Sequence, residues 1–147
     1  MIGIGNAWQG DDAAGLVVAQ QLRDRAGEEI TVLELEGEPV SLVEAFDGAD
    51  EAVLVDAVRS GAEPGTVHRI DATDDPVPAT LSAASTHTLG VGEAIELGRA
   101  LGRLPRRIVL YGIEAESLAA GGELTPAVAR AVDEVVERVL AECTSRP

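Results

Sequence analysis

An α/β layered domain is the fold this sequence predicts. It should be a three-layer sandwich: a five-stranded, mostly parallel sheet with one antiparallel strand and helices on both faces. Three observations predict it. Strand-like and helix-like stretches alternate in the order β α β α β β α β α, the pattern of layered α/β chains. Ala52-Val53-Leu54-Val55 is an unbroken apolar run, which suits a strand buried on both faces. From that run to the next strand, Ala57 to Gly65 is only nine residues. A parallel crossover needs about a dozen or more, so these two strands should run antiparallel and the sheet should be mixed.

Each element has its own signal. Met1 to Ile4 is a short apolar strand that runs into glycines, then Asn6, then the adjacent carboxylates Asp11 and Asp12. So short a strand raises the expectation that the N-terminus is trimmed or its start mis-assigned. Ala13 to Arg25 reads as a helix with Ala13, Leu16, Val17 and Leu22 on one side. Its leading carboxylates suit the positive end of the helix dipole, and Gly27 ends it. Ile30 to Glu36 is a strand in which Ile30, Val32 and Leu35 alternate with polar neighbours. After the turn Glu36-Gly37-Glu38-Pro39, Val40 to Phe46 is a short helix with Val40, Val43 and Phe46 inward. The apolar run of the third strand ends in Asp56, and Thr66 to Asp71 is a fourth strand. Ala72 to Ala79, acidic and proline-bearing, is a loop. Ser85-Thr86-His87-Thr88 precedes a helix from Leu89 to Leu101, with Ile95, Leu97 and Leu101 apolar. Arg106 to Ile113 is a strand and Glu114 to Glu123 a loop. Thr125-Pro126 pairs a cap with a proline in the first turn. It opens a last helix with Val128, Val132, Val135, Val139 and Leu140 inward.

Composition bounds the function. A chain of 147 residues is expected to form one domain, 1–147, with a real core. Only 2% is aromatic, so that core must be Val, Leu, Ile and Ala. A net charge of −15 argues against nucleic-acid binding. It permits a cationic partner, although acidic surfaces also serve solubility alone. The single cysteine, Cys143, excludes an internal disulfide framework and a cysteine-based zinc site. No signal peptide and no apolar run near the ~20 residues of a membrane span are present, so a soluble, cytoplasmic protein is expected.

Three side chains stand out by placement. Asp12 follows the first strand, Asp56 closes the third, and His87 sits in the loop before the third long helix. If strands one and three are neighbours, both carboxylates lie at the carboxyl edge of the sheet, where ligands bind in open α/β folds. The His87 loop can reach the same edge. Two carboxylates and one imidazole suit a borderline divalent metal, with zinc, nickel and manganese all fitting by ligand type. The same trio could activate water while a metal polarises a carbonyl. Blander roles compete. Asp at a helix start is ordinarily a cap, Asp56 could cap a turn, and His87 could be a solvated loop residue. His68, on a strand among polar neighbours, reads as structural or solvated, and Glu36 and Glu38 as turn carboxylates. Gly3, Gly5 and Gly10 are spaced G-x-G-x4-G, which departs from the dinucleotide fingerprint. There is no H-E-x-x-H, and neither Ser85 nor Ser117 has a supporting catalytic partner.

Taken together, these stretches resemble a family. The opening G-I-G-N-A-W-Q-G-D-D-A-A-G is similar to the G-[IV]-G-N-x4-D-[DE]-x-x-G signature of hydrogenase maturation proteases. Leu54-Val55-Asp56-Ala57 with Pro64-Gly65 resembles the family's second acidic segment, and Ser85 to Gly90 its histidine segment. Tyr111 to Leu118 resembles its late G-[IV]-x-P-E-S stretch, and Leu124-Thr125-Pro126 its last-helix entry. The likeness covers nearly the whole chain in order. Two departures stand out: Glu36-Gly37-Glu38 where Asp-Gly-Gly is common, and Ala115 where proline is common.

The resemblance implies a phosphorylase/hydrolase-like fold and an aspartyl-type endopeptidase. Such an enzyme removes the C-terminal extension of a nickel–iron hydrogenase large-subunit precursor. By position, Asp12, Asp56 and His87 become the catalytic and nickel-contacting residues. The nickel is the precursor's own, inserted before cleavage, so the isolated protein could be metal-free. The expected partner is that precursor, met by a monomer. Two alternatives are a module that binds nickel-loaded precursors without cutting them, and a metal-dependent hydrolase of another amide. A nucleotide-binding module is more remote.

Overall fold

The computed structural model describes residues 1–82 and 90–145. Five strands form one sheet: β1 (Ile2–Ile4), β2 (Leu33–Leu35), β3 (Glu51–Val58), β4 (Val67–Asp71) and β5 (Arg107–Glu114). Their spatial order is β2-β1-β3-β5-β4. β2, β1, β3 and β5 are mutually parallel, and β4 pairs antiparallel to β5 at the edge. The expected mixed sheet is therefore present. β3 and β4 do run in opposite directions, but β5 lies between them.

The helices are α1 (Ala14–Arg25), α2 (Pro39–Ala45), the single turn α3 (Ala79–Ser82), α4 (Val91–Ala100) and α5 (Pro126–Thr144). They divide between the two faces. On one, Leu42 and Phe46 from the α2 segment and Ala94 and Ile95 of α4 pack with Ile2, Ile4, Leu54, Ile108 and Leu110. On the other, Ala14, Val18 and Leu22 of α1 and the valines of α5 pack with Val55, Val109, Tyr111 and Ile113. Strand residues alternate between the two clusters as the pleat requires.

Several local expectations are corrected. Asp56 does not close β3, which continues to Val58. Glu114 is the last residue of β5 rather than a loop residue, and it is buried. The loop reading of Ala72 to Ala79 gives way at its end to α3. Val40 is 62% exposed, because α2 turns Leu42 and Val43 toward the sheet and leaves Val40 on the far side. On α1 the buried stripe runs through Leu16, Val18, Ala19 and Leu22, and Val17 is only partly buried. Leu97 and Leu101 are exposed at the end of α4.

The position of α1 is set by small residues. A Cβ on Gly15 would sit 2.3 Å from the Val55 carbonyl oxygen and 2.4 Å from that of Ile4. A Cβ on Gly3 would sit 2.2 Å from the Gly15 carbonyl oxygen and 2.7 Å from the Ala19 Cβ. No real Cβ tolerates such contacts, so the glycines let the helix backbone lie directly on β1 and β3. This approach, and not the apolar periodicity, selects which side of α1 faces inward.

Candidate active site at the switch point

The chain leaves β1 toward β2 on one side, then returns to place β3 on the other. The carboxyl ends of β1 and β3 thus flank a topological switch point, the crevice where open α/β sheets take ligands. The two expected acids lie on the segments at those ends. Asp12 lies in a 3-10 turn, Gly10–Ala13, that links β1 to α1. Asp56 lies near the end of β3, one residue beyond the Gly3–Val55 pair.

Asp12 is 1% exposed, and its Oδ2 accepts the Asn6 N–H at 3.1 Å. A Cβ on Gly5 would sit 2.0 Å from the Asp12 carbonyl oxygen. Gly5 is therefore what lets the turn fold back against the strand and bring Asp12 over its end. Asp56, also 1% exposed, is in step along β3 with Ala52 and Leu54, so its side chain emerges on the face covered by α2 and α4. Its partner on β5 is Gly112. His87, which precedes α4 in the sequence, lies outside the described residues. Among the described residues, no three His, Cys, Asp or Glu side chains are grouped closely enough to hold a metal ion.

The neighbouring acid, Asp11, has a different job. It is fully buried, and its Oδ2 accepts the N–H groups of Glu116 at 2.8 Å and Ser117 at 2.9 Å. Its Oδ1 accepts the Thr125 N–H at 2.8 Å, and the Thr125 hydroxyl donates to both oxygens. The Asp11 N–H in turn donates to the Ser117 carbonyl at 2.9 Å. One carboxylate thus fastens the whole connection from β5 to α5 onto the first loop. In the D-D pair, Asp11 ties the first loop to the connection before α5, and Asp12 accepts the Asn6 N–H at the end of β1.

A second buried carboxylate lies further along the carboxyl edge. Glu114, 1% exposed, accepts the Ser60 N–H at 2.8 Å and the Ser60 hydroxyl, and His68 Nε2 lies 3.3 Å away. His68 is therefore structural, as its strand position suggested. The Glu114 carboxylate ties the loop after β3 to the end of β5, and sequence reading missed it. Its only signal was an acid at the end of an apolar strand, the same signal that singled out Asp56.

With this geometry in place, comparison with known proteins is decisive. The hydrogenase maturation protease family model matches residues 16–142. The chain belongs to the hydrogenase maturation protease family. It is 32% identical over 145 residues to a hydrogenase expression/formation protein, HupD, of Thiocapsa roseopersicina. That match covers 95% of this chain and spans 65% of the relative's length. The fold matches a [NiFe] hydrogenase maturation protease, HycI, from Thermococcus kodakarensis with a TM-score of 0.75 at 28% identity, covering 99% and 90% of the two chains. It also matches an endopeptidase from Escherichia coli with a TM-score of 0.81 at 28% identity, covering 95% and 88%. The family's relatives are thus named as peptide hydrolases, and the α/β architecture is theirs. No helix among the described residues is long and apolar enough to cross a membrane.

Proposed function

We propose that this protein is an endopeptidase that removes the C-terminal extension of a nickel–iron hydrogenase large-subunit precursor after nickel insertion. The observation that supports this reading is that Asp12 and Asp56, both buried, stand on the two strand ends that flank the switch point of a maturation-protease fold. His87 is the third member of the site. These residues engage the nickel that the precursor brings, so the metal is part of the substrate. A single-domain monomer suffices, because the metal, the scissile bond and the tail all arrive together.

The chemistry follows from the donor types. Carboxylate oxygens and an imidazole nitrogen bind a divalent ion of nickel's hardness. Contact with it holds the tail against the crevice and distinguishes a loaded precursor from an empty one. One of the two carboxylates takes the proton of the attacking water and returns it to the leaving amine. Asp11 and Glu114 have no part in that step, since hydrogen bonds to the surrounding chain engage both carboxylates.

The test compares nickel-loaded and nickel-free precursor with wild type and with Asp12→Asn, Asp56→Asn and His87→Ala. Loaded precursor should be shortened by wild type alone, and empty precursor by none. Each substitution should lower the rate by at least about a hundredfold and leave thermal stability nearly unchanged. Wild-type rates in any of the three would remove that residue from the site. Stable binding of loaded precursor without shortening would favour the non-cutting module.

A further inference from the structure

The loop that carries the first motif presents an aromatic side chain that folding does not use. Trp8, the chain's one tryptophan, is 78% exposed. Its backbone is nevertheless held from both sides. Its N–H donates to Asn6 Oδ1 at 2.9 Å, and its carbonyl accepts the Gly121 N–H at 2.7 Å. The same Asn6 donates its own N–H to Asp12. The Trp8 backbone is therefore held relative to Asp12, and its indole stands open to solvent. Nothing in the fold gains from this exposure, whereas an aromatic presented from a held backbone is the residue type that dominates binding interfaces.

The surroundings indicate what it binds. Among the described residues, the loops at the carboxyl edge expose Glu36, Glu38, Glu63, Glu116 and Glu123, against the single guanidinium of Arg59. Arg59 is itself turned to the Glu116 carbonyl at 3.4 Å. An aromatic face in an acidic rim attracts a cation: the ring quadrupole and the surrounding carboxylates act in the same direction.

We propose that Trp8 is a substrate anchor, on whose indole a Lys or Arg side chain of the precursor stacks when the precursor docks over the switch point. This rests on the function proposed above, with Trp8 contributing to binding and not to the bond-breaking step. Binding lost in substrate and transition state alike raises KM and spares kcat.

The experiment uses the full chain labelled with 5-fluorotryptophan, which gives one fluorine resonance, and a nickel-loaded large-subunit precursor without the label. That resonance should shift or broaden when precursor is added to a cleavage-inactive Asp12→Asn background. In kinetics on the unlabelled protein, Trp8→Ala should raise KM at least about tenfold with kcat within about twofold. Trp8→Phe should recover most of the loss, and Trp8→Leu, which keeps apolar area without a quadrupole, should not. If wild type cleaves while Trp8→Ala keeps its KM and the resonance stays put, the anchor is refuted and the protease reading survives. A fall in kcat with unchanged KM, or full rescue by Trp8→Leu, also refutes it. If wild type neither binds nor cuts any precursor, the protease reading itself fails and the anchor falls with it.

Discussion

Asp11 and Asp12 are adjacent, both acidic and both buried, yet their environments make opposite predictions. Asp11 satisfies three backbone N–H groups and a hydroxyl from a segment more than a hundred residues away. Asp11→Ala strands those donors in the interior, at a cost of the order of 3–5 kcal/mol. Urea unfolding should show that loss directly. Activity should fall as well, because the wall formed by the loop after β5 is released. Asp12→Asn, by contrast, should keep the unfolding midpoint and lose only catalysis. The sequence placed both acids at a helix start, where either could be a cap, and singled out Asp12 as the ligand. The bracing role of Asp11 depended on the loop around Glu116 and Thr125, a contact that no local pattern records. Asp56 was legible because an apolar run that ends in a charge is anomalous, although β3 continues past it through Ala57 and Val58. Glu114 carried the same signal at the end of β5 and was read as the start of a loop.

At the scale of elements, α1 lies backbone to backbone on the sheet. Gly→Ala within a helix ordinarily stabilises by up to about 1 kcal/mol. Gly15→Ala should do the reverse. Its Cβ would enter two backbone carbonyls, so α1 must lift off β1 and β3, and overpacking of this kind typically costs about 1–3 kcal/mol. A fall in Tm on Gly15→Ala, set beside the exposed Gly27→Ala as a reference for glycine substitution outside the core, checks this. The same contact shows what element-level reading can reach. Alternation of strand and helix, the unbroken run in β3 and the short β3–β4 link were enough for the layers and the odd strand. The buried stripe of α1 was misjudged because glycine and alanine, which carry little hydrophobic signal, are what dock it. Val40 was misjudged for a related reason: in a two-turn helix that starts at Pro39, apolar spacing alone does not fix the inward side. The edge position of β4 beside β5, instead of beside β3, depended on a pairing between distant segments.

For the molecule as a whole, the end of α5 is fastened to the sheet by one charged cluster. Arg69 of β4 donates two hydrogen bonds to Glu142, at 2.9 and 3.1 Å, and Tyr111 donates a third. The Arg69 hydrogen bonds foremost hold the Glu142 carboxyl down at about 2, and burial pushes the Tyr111 hydroxyl up. A carboxyl whose folded pKa is depressed stabilises the fold above its unfolded value near 4.5, and that stability is lost as pH falls toward about 2. Glu142→Gln should therefore narrow the stability difference between pH 6 and pH 3, as read by thermal unfolding at the two pH values. The effect should be modest, because the group is partly solvated. This cluster is at the opposite edge of the sheet from Asp12 and Asp56, so the same variant should leave cleavage unchanged. That the switch point cuts a nickel-loaded precursor can be read by intact mass spectrometry. Nickel-loaded large-subunit precursor is incubated with wild type and with Asp12→Asn, and the precursor is weighed. Loss of one defined C-terminal peptide with wild type alone is the expected result. An unchanged precursor mass with both proteins, under conditions where wild type binds it, would contradict the claim.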